Sequence, residues 1–225
     1  MNYLFNPPKN KITLLARSQA LAGFTIGNLA SLAGLVVPEN LKKNKGWIGK
    51  LIELYLGANS QNKAEQDFVH LGIELKTIPI DSSGNPKEST FICTASLINN
   101  VGISWKTSNV RNKLSSILWV PIESNTNIPL KNRRIGISLL WRPSLREDIM
   151  LRKDWEEIIN MIIFGQVNYI NNFHGMLLKL QPKALNKNIL TKGIGDKGEN
   201  IMTIPRSFYL RKSFTKIILS NNHIV

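Results

Sequence analysis

Several things are scarce in this chain, and each scarcity excludes something. It has one cysteine in 225 residues, Cys93, so a small secreted scaffold stapled by disulfides is ruled out. Its three histidines, His70, His174 and His223, are scattered without metal-ligand spacing, which removes a histidine-built metal centre. Apolar runs such as Leu29–Val37 fall far short of the roughly 18–20 residues that cross a bilayer. The opening Met-Asn-Tyr-Leu-Phe-Asn-Pro-Pro lacks the basic start and apolar stretch of a signal peptide. No internal repeat and no low-complexity stretch is present. Acidic residues are few, 15 against 29 Lys plus Arg, and the net charge is +14. These absences predict a soluble protein of the cytoplasm with no membrane association.

What remains is enough for a core. At 43% hydrophobic and 20% charged residues, the chain is too apolar to be a basic disordered tail. Its length suits one domain, or two small lobes sharing a core. A folded domain at +14 favours a polyanionic partner, because neutralising phosphates releases counterions. Part of the charge is compositional: 25 Asn, 28 Ile and 20 Lys against 9 Arg is the drift of an A+T-rich genome.

Helical signals come first. Residues 11–22 read as an amphipathic helix stopped by Gly23. Thr25 then reads as the N-cap of a second helix ended by Gly34, and Gly46–Leu56 as a third ended by Gly57. Strand signals follow at Ile73–Ile80 and Ser89–Leu97, and the intervening DSSGNP predicts a hairpin. Two more strands are expected at Ile117–Ile122 and Ile135–Trp141. Ser144 with Glu147 forms a capping box before a long amphipathic helix. A strand at Met176–Leu180 and a last helix at Ser207–Leu219, capped by Ser207, complete an α/β or α+β order.

One constellation carries chemistry. Glu74 and Lys76 are i and i+2 on an expected strand, so their side chains leave the same face. Asp67 enters from the preceding segment, and Glu53 interrupts an apolar helix between Ile52 and Leu54. If the three carboxylates converge beside one lysine, they hold one or two Mg²⁺, a hard cation that prefers oxygen ligands. Such an ion acidifies water and stabilises charge on a scissile phosphate, and a lysine adds to both effects. Lys113, from another segment, supplies a second cation. The residues alone also fit a solvated strand face with an i,i+2 ion pair, so both readings stay open at this point.

Longer blocks carry a resemblance. LAGFTIGNLASLAGLVVPENLKKNKGWIGKLIELYLGA, EQDFVHLGIELKTIPID, SWKTSNVRNKLSSILWVPIE, LRKDWEEIINMIIFGQV and GENIMTIPRSFYLRKSFT resemble, in order, the MutH family of DNA mismatch repair endonucleases. That family is related to type II restriction enzymes that cut GATC, and the match runs from about residue 20 to residue 216. It implies a PD-(D/E)xK restriction-endonuclease-like α/β fold: residues 1–225 as a single endonuclease domain, with a mixed central sheet flanked by helices and two lobes forming a DNA cleft. It implies Mg²⁺-dependent nicking of the unmethylated strand at hemimethylated GATC, 5′ to the G, by a monomer switched on by MutL after MutS has found a mismatch. Carried over by position, Glu53, Asp67 and Glu74 match the metal-binding carboxylates and Lys76 the catalytic lysine. Lys113 matches a further active-site lysine, and Lys45 a lysine on a DNA-facing loop. Phe91, Pro182 and Lys183 match DNA contacts, and Tyr209 matches the tyrosine that senses adenine methylation.

One position departs. Where the family pattern is Arg-Pro-Lys-Ala, this chain has Gln181-Pro182-Lys183-Ala184. Arg suits guanine and Gln suits adenine, so guanine reading is either weaker here or supplied by another residue. Other conspicuous residues read as structural: Cys93 as a buried small side chain, and the five tryptophans as core. A GATC restriction enzyme cutting both strands, a decayed DNA-binding module and an RNA-associated protein are the competing readings.

Overall fold

The computed structural model describes residues 6–41, 44, 46–59, 64–183 and 189–220. By internal contact the chain divides into two compact units. The first comprises Met1–Lys87, Ser115–Arg142 and Ile218–Val225, and the second Glu88–Leu114 and Pro143–Ile217.

The first unit begins with three helices, α1 (Lys11–Ala20), α2 (Ile26–Leu32) and α3 (Trp47–Leu56). Their ends follow the expected chemistry. The Asn10 side chain accepts the Thr13 N–H, and the Thr25 side chain accepts the Asn28 N–H. At Gly57 the backbone turns left-handed, φ +74°, and its N–H closes on the Glu53 carbonyl. A side chain there would resist that φ, so glycine ends the helix cleanly.

These helices pack on a three-stranded mixed sheet. Its middle strand β3 (Ile117–Glu123) runs parallel to β1 (Glu74–Ile80) and antiparallel to β4 (Leu139–Trp141). Six successive buried positions in β3 are what a strand covered on both faces requires. Leu14, Ile26, Leu29, Leu51, Ile52 and Leu56 close the core against Leu75, Leu118 and Val120. On the area scale, each such fully buried side chain contributes about 1.5–3 kcal/mol.

The expected hairpin between residues 73–80 and 89–97 does not form. Asp81 accepts the Ser83 and Asn85 N–H groups and turns the chain, but only an isolated bridge, Ile80↔Pro86, follows. Pro79 and Pro86 lack the N–H donors that a ladder needs. β1 pairs instead with β3, and β2 (Thr90–Thr94) pairs elsewhere.

The second unit holds α4 (Asn109–Leu114), α5 (Leu145–Ile163), β5 (Leu178–Pro182), the hairpin of β6 (Thr191–Ile194) and β7 (Asn200–Thr203), β8 (Arg206–Leu210), and most of α6 (Lys212–Ser220). β8 lies between β2 and β5, antiparallel to both. This corrects the helix expected from Ser207: residues 206–210 are a central strand, and α6 starts after it. The run SFYL has strand propensity, and three-strand pairing decides in its favour. The mixed sheet is therefore three strands wide, and the other strands form two separate antiparallel sheets.

α5 carries the expected capping box, with Ser144 and Glu147 reciprocally bonded. It also carries a carboxylate the periodicity hid. Asp154 is 6% exposed and accepts the N–H groups of Met176, Leu177 and Leu178 at 2.9, 2.6 and 2.8 Å. Gly175 completes this junction, since a Cβ at its φ of +72° would collide with the Leu178 carbonyl. Cys93 and four of the five tryptophans are buried, Trp47 being the partly buried one.

Asp154→Ala leaves three N–H groups without their acceptor, each costing about 1–3 kcal/mol. The expected outcome in urea unfolding is a stability loss of at least about 2 kcal/mol, with a smaller loss for Asp154→Asn, which keeps one acceptor oxygen.

Candidate active site and nucleic-acid face

In the first unit, β1 and the turn before it present the acidic group. The Lys76 Nζ lies 2.7 Å from Glu74 Oε1, so the two leave the strand together as their spacing predicts. Glu74 is only 3% exposed. Its N–H bonds the Ser116 carbonyl, which fixes the start of β1 against β3. Asp67 is partly buried just ahead of a 3-10 turn, Val69–Leu71, and its Oδ2 accepts the Leu75 N–H at 2.7 Å. Gln66 beside it is buried and donates to the Gly72 carbonyl and the Ser115 hydroxyl, both at 3.0 Å. Composition and spacing do not single out Gln66; only the folded loop shows what it ties.

Glu53 comes from α3, and its Oε1 and the Thr77 hydroxyl of β1 both border the space where a Cβ on Gly49 would stand, 3.8 and 3.9 Å from it. Burial raises its pKa above the ordinary carboxylate value. The charges of Asp67 and Glu74 raise it further, while Lys50 and Lys76 pull it down by less. On Glu53, then, the charges of the other two expected carboxylates act together.

Oxygen-only donors and mutual repulsion fit a hard divalent cation, which would relieve that repulsion. Among the described residues, no three His, Cys, Asp or Glu side chains gather into a group able to hold a metal ion. Glu74 is turned onto Lys76, and Asp67 onto the Leu75 N–H. The donor chemistry fits, as an open set of carboxylates rather than a closed cage.

Lys113, Lys183 and the expected aromatics belong to the second unit. Lys113, on α4, is 5% exposed. Phe91 of β2 stands opposite Tyr209 of β8, the rings meeting edge to face with centroids 5.6 Å apart. Lys183 caps this pair, its Nζ 4.5 Å above the Phe91 ring and 3.0 Å from the Thr94 hydroxyl. Burial, and then the charge of Glu88, raise the Tyr209 pKa, which keeps the phenol a neutral donor. Gln181 and Pro182 end β5, opposite Ser207 and Arg206. Lys45 and Ala184 lie outside the described residues. The structure therefore groups Phe91, Tyr209 and Lys183, and separately pairs Glu74 with Lys76, whose charges act with that of Asp67 on Glu53. Lys179, Thr94 and Ser207 share the sheet with the first group, and the sequence does not single them out. Their only signal is a period-two pattern whose partner strands are not local.

Comparison with known proteins bears on these two groups. A family model described as the DNA mismatch repair enzyme MutH matches residues 56–154. The chain is 53% identical over 222 residues to a DNA mismatch repair protein MutH of Escherichia coli O139:H28 (strain E24377A / ETEC), covering 99% of this chain and 97% of that protein. The same identity and coverage hold for the DNA mismatch repair protein MutH of Shigella boydii serotype 18 (strain CDC 3083-94 / BS512).

The raised pKa of Glu53 sets a testable sign. An ionised Glu53 is disfavoured in the fold, so it lowers stability fully above its raised folded pKa. The penalty fades as pH falls and is gone below the ordinary unfolded value. In EDTA, Glu53→Gln should therefore raise the thermal midpoint at neutral pH, with the gain shrinking as pH falls from the raised folded pKa of Glu53 to its ordinary value and absent below it. Scanning calorimetry of both proteins across pH checks this, and a variant destabilised at neutral pH contradicts it.

Proposed function

The chain belongs to the MutH family of DNA mismatch repair enzymes, and on that premise we propose that it is the methyl-directed repair endonuclease of its host. It nicks the unmethylated strand of hemimethylated GATC, 5′ to the G, and does so when activated by MutL after MutS engages a mismatch. The mixed α/β architecture is consistent with the restriction-endonuclease-like fold that this family implies. A DNA cleft formed by two lobes, a monomeric state and a cytoplasmic location belong to the same proposal. Among the described residues, no helix is long and apolar enough to cross a membrane.

The observation that supports this reading best is the Glu74–Lys76 pair, 2.7 Å apart, with Asp67 and Glu53 acting on the same place. Glu53, Asp67 and Glu74 are the residues that would hold Mg²⁺, and the ion would supply positive charge at the scissile phosphate and acidify water. The protein's own part is positional. Lys76 neutralises Glu74 in the resting site and stands ready to stabilise negative charge that develops on the phosphate or the attacking oxygen. Leu75 fixes Asp67 through its N–H, so the loop carboxylate and the strand lysine keep one register. Lys113 is assigned the role of a further catalytic lysine, and Lys45 that of a lysine on a DNA-facing loop, its charge toward the phosphate backbone. Phe91, Pro182, Lys183 and Tyr209 are assigned contacts to the duplex, with the neutral Tyr209 phenol sensing the adenine methyl group.

The test is nicking of supercoiled plasmids bearing hemimethylated or fully methylated GATC, with Mg²⁺, MutL and ATP. Nicking of the hemimethylated plasmid alone is expected, and its absence with folded protein and active MutL sinks the proposal. Double-strand breaks at low enzyme would favour a restriction enzyme instead. Lys76→Ala should lower nicking by at least about 10²-fold while duplex affinity stays close to wild type, because the lost interaction belongs to the transition state.

A further inference from the structure

The sheet of β2, β8 and β5 has two unlike faces. Leu178 and Leu180 of β5 and Phe208 and Leu210 of β8 are buried on one of them. Strand alternation puts Lys179, Gln181, Ser207 and Tyr209 on the other. Register sorts this polar face into two rows running across the strands. One row is Phe91, Tyr209 and Lys179, and the other is Thr94, Ser207 and Gln181.

The two lysines of this face are in different situations. Lys183 is engaged, with its ammonium on the Thr94 hydroxyl and over the Phe91 ring. Lys179 is partly buried, and the groups that act on its ammonium are the surrounding burial and the Arg211 guanidinium, both of which lower its pKa. Arg211 cannot turn away, because it donates to the carbonyls of Asn172, His174 and Gly175. A partly desolvated ammonium beside a fixed cation gains from any acceptor brought to it. The neighbouring row is likewise unfinished: the Ser207 hydroxyl is buried and has no hydrogen-bond partner among the described residues.

We propose that Lys179 is a specificity-determining residue that donates to the N7 and O6 acceptors of a guanine, with Gln181 beside it on the same strand face meeting the adjacent adenine. The inference rests on the GATC reading above and deepens it. In the major groove guanine offers two acceptors, which suit an ammonium, and adenine offers an acceptor and a donor, which suit an amide. G and A are neighbours in the site, and positions 179 and 181 leave β5 side by side. This places the guanine contact in a chain that has glutamine, not arginine, at position 181.

The experiment measures affinity of the full-length protein for hemimethylated GATC duplexes whose guanines are intact or replaced by 7-deazaguanine, which lacks the N7 acceptor. Wild type should lose roughly tenfold on the replacement. Lys179→Met should bind the intact duplex about tenfold more weakly and be indifferent to the replacement, and Lys179→Arg should restore sensitivity. Lys179→Leu, which also lacks a donor, serves the same comparison should the methionine variant not fold. A Lys179→Met protein as sensitive to 7-deazaguanine as wild type overturns the inference. So does an equal loss on GATC and scrambled duplexes with a shallower salt dependence, which marks a phosphate contact. Wild type that does not prefer GATC to a scrambled duplex overturns the functional reading, and this inference with it. Where wild type does prefer GATC, the Lys179 variants test the guanine contact alone.

Discussion

Carboxylates that share a partly buried region repel one another, and in the first unit the charges of Asp67 and Glu74 both act on the half-buried Glu53. Glu74 is almost fully buried, and an ion of that kind costs several kcal/mol to desolvate unless it is paired. Lys76 pairs it at 2.7 Å from the same strand face. Asp67 is held by the Leu75 N–H, and its loop by Gln66 through Gly72 and Ser115. Glu53 is brought in by α3, whose other side is locked into the core through Leu51, Ile52, Tyr55 and Leu56. The parallel pairing of β1 with the buried β3 gives all of these a rigid base. On Glu53, burial and the charges of Asp67 and Glu74 outweigh the opposing charges of Lys50 and Lys76.

Charge is therefore arranged at two scales. The whole chain is strongly basic, +14, which favours approach to a phosphate backbone. Within that field lies a small acidic site in the first unit, and a face carrying aromatics and lysines in the second. In the proposed function, positive charge would draw the polyanion in, the acidic residues would hold the cation that chemistry on phosphate requires, and side chains on a strand face would read the bases. The first two of these tasks ask for opposite electrostatic signs, and the acidic residues and the aromatic and lysine face sit on different secondary-structure elements.

How much of this is legible in the sequence depends on the range of each interaction. The Glu74–Lys76 pair is legible because i and i+2 share a strand face whatever the strand pairs with. The Thr25 cap, the Ser144–Glu147 capping box and the Gly57 stop are legible because they are closed within four residues. The pairing of β1 with β3 is not, since it joins strands separated by a segment that folds into the other unit, and local turn residues suggest a hairpin. Ser207–Leu210 reads as the start of a helix because so short an apolar run carries both periods, and only β2 and β5 on either side make it a strand. The row of Phe91, Tyr209 and Lys179 needs a register that includes an irregularity between Phe91 and Cys93. Asp154 looks like one more polar residue of an amphipathic helix, and its partners lie more than twenty residues away.

The central claim is that the crowded carboxylates of the first unit hold the cation beside Lys76. The most direct measurement is calorimetric titration of Mn²⁺ into the protein bound to a hemimethylated GATC duplex, in a Lys76→Ala background so that the strand stays intact. The account predicts saturable binding that is lost when Asp67→Asn is added and weakened by Glu53→Gln. An isotherm unchanged by both substitutions would contradict it.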